Sequence, residues 1–134
     1  MKFIYGLIIL ALVAVFFYLS NIDLMYLIDL TSLVSIILFS VLFSSISYGF
    51  KDTAKAFLAP FSKNIALENR KASENIPVIL YCSAFLLFII GLLVISFSNN
   101  WDNQLMIGTA LLPLLYSLIF AEVVYRPYIN IGKA

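Results

Sequence analysis

The side chains able to do chemistry are few, and most of them gather in the last third of the chain. Glu122 is the one acid within an apolar stretch there, and Arg126 follows it at i+4, the acid-before-base order that favours an ion pair along a helix. It lies about 17 residues after Leu105, so a helix rising about 1.5 Å per residue carries it about 25 Å, close to the far interface of a bilayer. The pair reads either as an interfacial salt bridge or as a point of ion entry or partner contact, because an intramembrane carboxylate is a functional-site hypothesis in its own right. On the same stretch Thr109, Pro113, Ser117 and Ala121 recur at every fourth position, with Tyr116 beside them. A stripe of small or notched residues marks contact between membrane helices. Pro113 also leaves the carbonyl of Thr109 without its usual donor, which predicts a kink. That carbonyl and the hydroxyls of Thr109, Tyr116 and Ser117 are the candidate oxygens for an ion path or a partner-helix contact.

Covalent chemistry finds little to work with. Histidine is absent, Cys82 is the single cysteine, and there is no glycine-rich phosphate loop. The expectation is therefore no enzyme activity, no cofactor and no metal site. Cys82 itself reads as a small buried apolar residue. The basic residues are sparse and flank apolar stretches, so nucleic acid is not an expected partner.

These residues need elements that span a membrane to position them. The 134 residues are 63% hydrophobic and only 11% charged, a balance that a water-soluble domain could not hide. Four stretches lack Asp, Glu, Lys and Arg and approach the roughly 20 residues that cross a bilayer core. They predict an all-α integral membrane protein, one membrane domain over 1–134, with spans at about 3–20, 31–49, 77–97 and 104–125 and a cytoplasmic loop at 51–75. An up-down-up-down path puts Lys2, Lys51, Lys55, Lys63, Arg70, Lys71, Arg126 and Lys133 on one side. Asp23, Asp29 and Asp102 face the other. By the positive-inside rule both termini are then cytoplasmic, in a bacterial inner (cytoplasmic) membrane. The first stretch reads as a span rather than a cleaved leader, because Tyr18 and Ser20 make a poor cleavage site.

The spans differ in character. The first is bulky and apolar all round, as suits a peripheral, lipid-facing helix. The second carries Ser40, Ser44 and Ser47 on one face, which predicts helix packing. Within the loop, Ala54, Phe57, Leu58 and Phe61 form an apolar stripe beside Lys51, Lys55 and Lys63. This amphipathic helix either rests against anionic headgroups or continues the second span into the cytosol. A turn or two over 66–73 is expected before Pro77 opens the third span. Trp101 is read as an interface anchor.

Two segments resemble the MotA, TolQ and ExbB family of ion-driven membrane proteins, and its MotA branch in particular. Ile28-Asp29-Leu30-Thr31-Ser32-Leu33 is similar to the MotA pattern Ile-Asp-Leu-Pro-Ser-Leu, with Thr31 in place of the proline. Ile46-Ser47 through Phe50-Lys51-Asp52 to Lys55-Ala56-Phe57 resembles the inner exit of the same span. In the fourth span, Ala110-Leu111-Leu112-Pro113-Leu114-Leu115-Tyr116-Ser117, with Ala121 and Pro127, is similar to the run Ala-Leu-Leu-Thr-Thr-Leu-Tyr-Gly and its later Ala and Pro. The resemblance implies a homo-oligomeric ring, commonly of five, around the single transmembrane helix of a MotB-like or ExbD-like partner. Pro113 and Leu114 stand where similar proteins carry two threonines, so the isolated chain is expected to be ion-tight. The competing expectation is a non-conducting structural or regulatory four-helix subunit of a larger membrane complex.

Overall fold

The computed structural model describes residues 2–21, 25, 28–61, 70–99 and 101–131. Every regular element among them is helical. In order they are α1 (Lys2–Leu19), α2 (Leu30–Tyr48), α3 (Phe50–Leu58) with a 3-10 turn (Ala59–Phe61), α4 (Arg70–Phe97), α5 (Gln104–Ile119) with a π turn (Phe120–Tyr125), and α6 (Arg126–Ile131). Three helical stretches are long and apolar enough to cross a membrane: Leu30–Tyr48, Lys71–Phe97 and Gln104–Asn130. Within α1 the apolar stretch is shorter, Leu7–Phe16. The expected membrane-side features at Asp23, Tyr26, Leu27, Lys63, 66–69, Asn100 and Lys133 lie outside the described residues.

Local chemistry sets the helix starts. Asp29 caps α2, accepting from the backbone N–H groups of Thr31 and Ser32, and Asn103 caps α5 through those of Leu105 and Met106. Each cap satisfies donors that the first turn of a helix leaves orphaned. Between α4 and α5 the chain reverses at Asn99, whose φ of 53° is a left-handed conformation that Asn tolerates.

Pro77 does not open a helix: it lies buried inside α4, which is already helical at Arg70. The reason is tertiary. Ala72, Ser73 and Ile76, in the turns before the proline, are buried, and Ala72 and Ile76 join the core with Ala56 of α3. That packing outweighs the missing proline N–H.

Nor does α3 continue α2. Nine residues of straight helix would separate Ser44 from Thr53 by about 13 Å, yet Thr53 Oγ1 donates to Ser44 Oγ at 3.2 Å. The chain turns at Gly49, whose φ of 81° and ψ of 157° form a conformation open to glycine alone among common residues. The expected apolar stripe is split as a result. Phe57 packs inward on Tyr125, with ring centroids 5.9 Å apart, while Leu58 and Phe61 stay exposed.

The core gathers where α2, α3, α4, α5 and the π turn meet: Ile36, Ala56, Ala72, Ile76, Leu80, Ala84, Tyr116, Ala121 and Tyr125. Alanine dominates the contact points, and small side chains let helices approach closely without an aqueous driving force. Further along, a Cβ on Gly91 would stand 2.9 Å from the Cβ of Ala110, so α4 and α5 nearly touch there. Cys82, expected to be buried, is exposed on α4. Its neighbours Ser83 and Ala84 take the inward positions instead.

Candidate functional site

A polar cluster ties the start of α2 to the body of α5. The backbone N–H of Asp29 donates to Tyr116 Oη at 2.8 Å, and Ser32 Oγ donates to Asp29 Oδ2 at 2.5 Å. The Asp29 carboxylate also accepts from the N–H groups of Thr31 and Ser32 at 3.2 and 3.3 Å. Its donors are thus neutral, and its charge is offset by the positive end of α2. Tyr116 is buried, and a buried tyrosine needs a partner for its hydroxyl.

Beside the cluster lies a cleft of about 400 Å³ between α2, α4 and α5. Asp29, Thr31, Ser32 and Ser35 supply one wall, and residues such as Ile90, Val94, Met106 and Pro113 the others. Its size falls in the range of small-ligand pockets, and among the described residues that line it Asp29 is the only ionisable group. Thr109 is also on the wall, but its hydroxyl donates to Leu105 O at 2.8 Å.

At the opposite end, Glu122 Oε1 accepts from Tyr81 Oη at 2.5 Å and pairs with Arg126 Nε at 3.0 Å. Both side chains of the pair reach solvent, the Arg126 side chain more so. The carboxylate therefore joins α4 to the π turn. Close by, Tyr125 Oη donates to Phe57 O at 2.9 Å, which ties the π turn to α3.

A seam of hydroxyls runs between these ends. Asn75 donates to Tyr48 Oη and so sets α2 against α4 in antiparallel register. Ser40 of α2 and Ser83 of α4 lie further along these two helices. Both are wholly buried, and neither hydroxyl has a hydrogen-bond partner among the described residues.

The expected site residues are thus divided. Pro113, Tyr116, Ser117 and Ala121 are buried within the chain's own bundle, whereas Thr109 is exposed. Ser117 Oγ donates to Leu114 O at 2.9 Å. Ser40 and Ser44 are buried, and Ser47 is exposed. Glu122 and Arg126 form an ion pair. Asp29 stands in the sequence as an outer-side acid and as part of the segment that resembles the MotA pattern, but not as a candidate site residue, although an Asp just before Thr31-Ser32 at the head of an apolar run is a helix-cap signal. Among the described residues no cluster of His, Cys, Asp and Glu is arranged to hold a metal ion. Comparison with protein-family models, curated proteins and solved structures gives no match for this chain.

Proposed function

We propose that the chain is a compact MotA-like subunit of a bacterial cytoplasmic membrane. In this reading α1 is a fourth span, both termini are cytoplasmic, and copies assemble into a homo-oligomeric ring, with five the expected number. The ring accepts the transmembrane helix of a MotB-like or ExbD-like partner and serves as a stator or energy-transducing scaffold. It is not an enzyme and needs no cofactor.

One observation carries the reading. The two segments that resemble the family are far apart in sequence, and their polar residues meet: Asp29, Ser32 and Tyr116 form one hydrogen-bonded cluster. Each of the three has a counterpart in the MotA patterns. A chance likeness between apolar stretches would not require the polar positions to converge. The outward apolar side chains of α4 and α5, among them Phe85, Ile89, Leu93, Leu111 and Leu118, offer surface for neighbouring copies, a partner helix and lipid.

Native mass spectrometry of the full chain in mild detergent is the test, with a pentamer expected. A strictly monomeric species at every detergent ratio would remove the proposal's main support. Co-purification of a single-span protein with a membrane-proximal Asp would add the partner, and reconstituted protein alone is expected to hold a proton gradient.

The burial of Pro113, Ser117 and Ala121 favours a second reading. With that stripe packed inside the protomer, the chain would be a non-conducting structural or regulatory subunit docked by one face to a larger complex. Leu111→Cys and Leu118→Cys, each in a Cys82→Ser background, separate the two. Self-crosslinks between copies support the ring, and their absence at both positions supports the accessory subunit.

A further inference from the structure

Two residue pairs fix the orientation of α3: Thr53 bonds to Ser44 of α2, and Phe57 meets Tyr125 twice, its carbonyl accepting from the Tyr125 hydroxyl and its ring packing edge-on against the Tyr125 ring. With Thr53 and Ala56 wholly buried, the helix cannot roll to hide its other side. That other side is strongly apolar at one edge. Phe50 is 73% exposed, Leu58 65%, and Phe61 on the following turn 73%. At about 100° per residue, Phe50 and Leu58 fall within about 80° of arc, and Lys51 and Lys55 occupy roughly the next 60°. Both lysines are exposed. Neither lysine takes part in the ion pair of Glu122 with Arg126, and the exposed acid of the helix, Asp52, lies about 60° beyond Lys55, on the side away from Leu58.

The depth of α3 follows from its attachment. Ser44 lies about one turn inside the end of α2, so the bond from Thr53 holds α3 at the level where that apolar helix ends. Ile46, on the last turn of α2 before Gly49, is 82% exposed. A protein partner covering this edge would need an apolar groove rimmed with acids, whereas a leaflet supplies both apolar chains and negative charge at one depth.

We propose that α3 is an in-plane anchor selective for anionic lipid, with Phe50, Leu58 and Phe61 among the acyl chains and Lys51 and Lys55 on headgroup phosphates. This rests on the chain spanning a bilayer and is independent of any ring or partner helix. A lysine near an anionic surface gains about 1 kcal/mol, which is about 5-fold in local lipid preference and roughly 30-fold for two.

The test uses the full-length chain in liposomes, with Leu58→Trp as reporter in a Trp101→Phe background and Phe50→Trp as a second reporter. Acyl-brominated phosphatidylglycerol or brominated phosphatidylcholine is added as a minor component of phosphatidylcholine vesicles. We expect blue-shifted emission, quenching by the anionic lipid several-fold above that by the zwitterionic one, and loss of the difference in Lys51→Gln/Lys55→Gln. High salt should weaken the preference in the parent alone. Emission characteristic of water at both reporters overturns the proposal. So does emission shielded from both water and bromine, which would mean a protein covers the face. Equal quenching by the two lipids, unchanged in the glutamine variant, removes the selectivity.

Discussion

Asp29 and Tyr116 hold the head of α2 against α5 through a bond that uses no side-chain atom of the aspartate: the Asp29 backbone N–H donates to Tyr116 Oη at 2.8 Å. The carboxylate stays free to cap the helix. One residue thus does two jobs, and substitution can separate them.

Tyr116→Phe removes the acceptor and strands a backbone donor, so a loss of about 1–2 kcal/mol is expected. Asp29→Ala removes the cap instead, at about 1 kcal/mol, and Asp29→Asn should recover most of that. Reversible unfolding in mixed micelles measures all three. Equal losses for Asp29→Asn and Asp29→Ala would rule out the capping role.

Gly91 and Ala110 make a size-exchange pair. Gly91→Ala brings a Cβ to 2.9 Å from the Cβ of Ala110, an overpacking expected to cost about 1–3 kcal/mol. Ala110→Gly should be mildly destabilising alone and restore stability in the double variant. An additive cycle would show that the helices part easily there.

Ser40 and Ser83 bury hydroxyls that find no partner among the described residues. Replacing both by Ala removes buried polar atoms and little volume, so the thermal midpoint is expected to hold or rise. A fall equivalent to more than about 1 kcal/mol would reveal a hydrogen bond between them or through water.

Gly49→Ala places a Cβ in open space but on a backbone that L-residues avoid. The expected cost is about 1–3 kcal/mol from strain alone. Protease access to the segment after α3 should rise with it, because the turn sets how α3 docks.

Arg126→Ala opens a half-exposed ion pair and should change stability by less than about 1 kcal/mol. Tyr81→Phe should cost more, since its bond to the Glu122 carboxylate links α4 to the π turn. The reverse ranking, read from paired melts at low and high salt, would make the ion pair the principal tie.

Hydropathy made the long helices legible: α2 runs Leu30–Tyr48 against an expected 31–49, and α5 begins at Gln104 as expected. Such boundaries follow from charge-free runs and caps, which are local. Pro77 misled because proline is a local stop signal, while the burial of Ala72 and Ile76 depends on α3. Cys82 and the union of Asp29 with Tyr116 were illegible for the same reason. Both depend on which face of a nearly uniform apolar helix turns inward, and an all-round apolar sequence carries little record of that. The ion pair of Glu122 and Arg126 was legible because i+4 spacing alone brings the two together.

The π turn has a bearing on how this chain is compared with others. The backbone N–H of Arg126 bonds to Ala121 O, one residue further back than in an α-helix, so the segment absorbs a supernumerary residue. Counting straight through from Ala110 to Pro127 then preserves letters but not positions in space. Against a homologue whose last helix lacks the wide turn, every residue from Arg126 onward is offset by one place, about 100° around the axis. A structural superposition should therefore carry a one-residue gap within Phe120–Tyr125 even where the written sequences align without one.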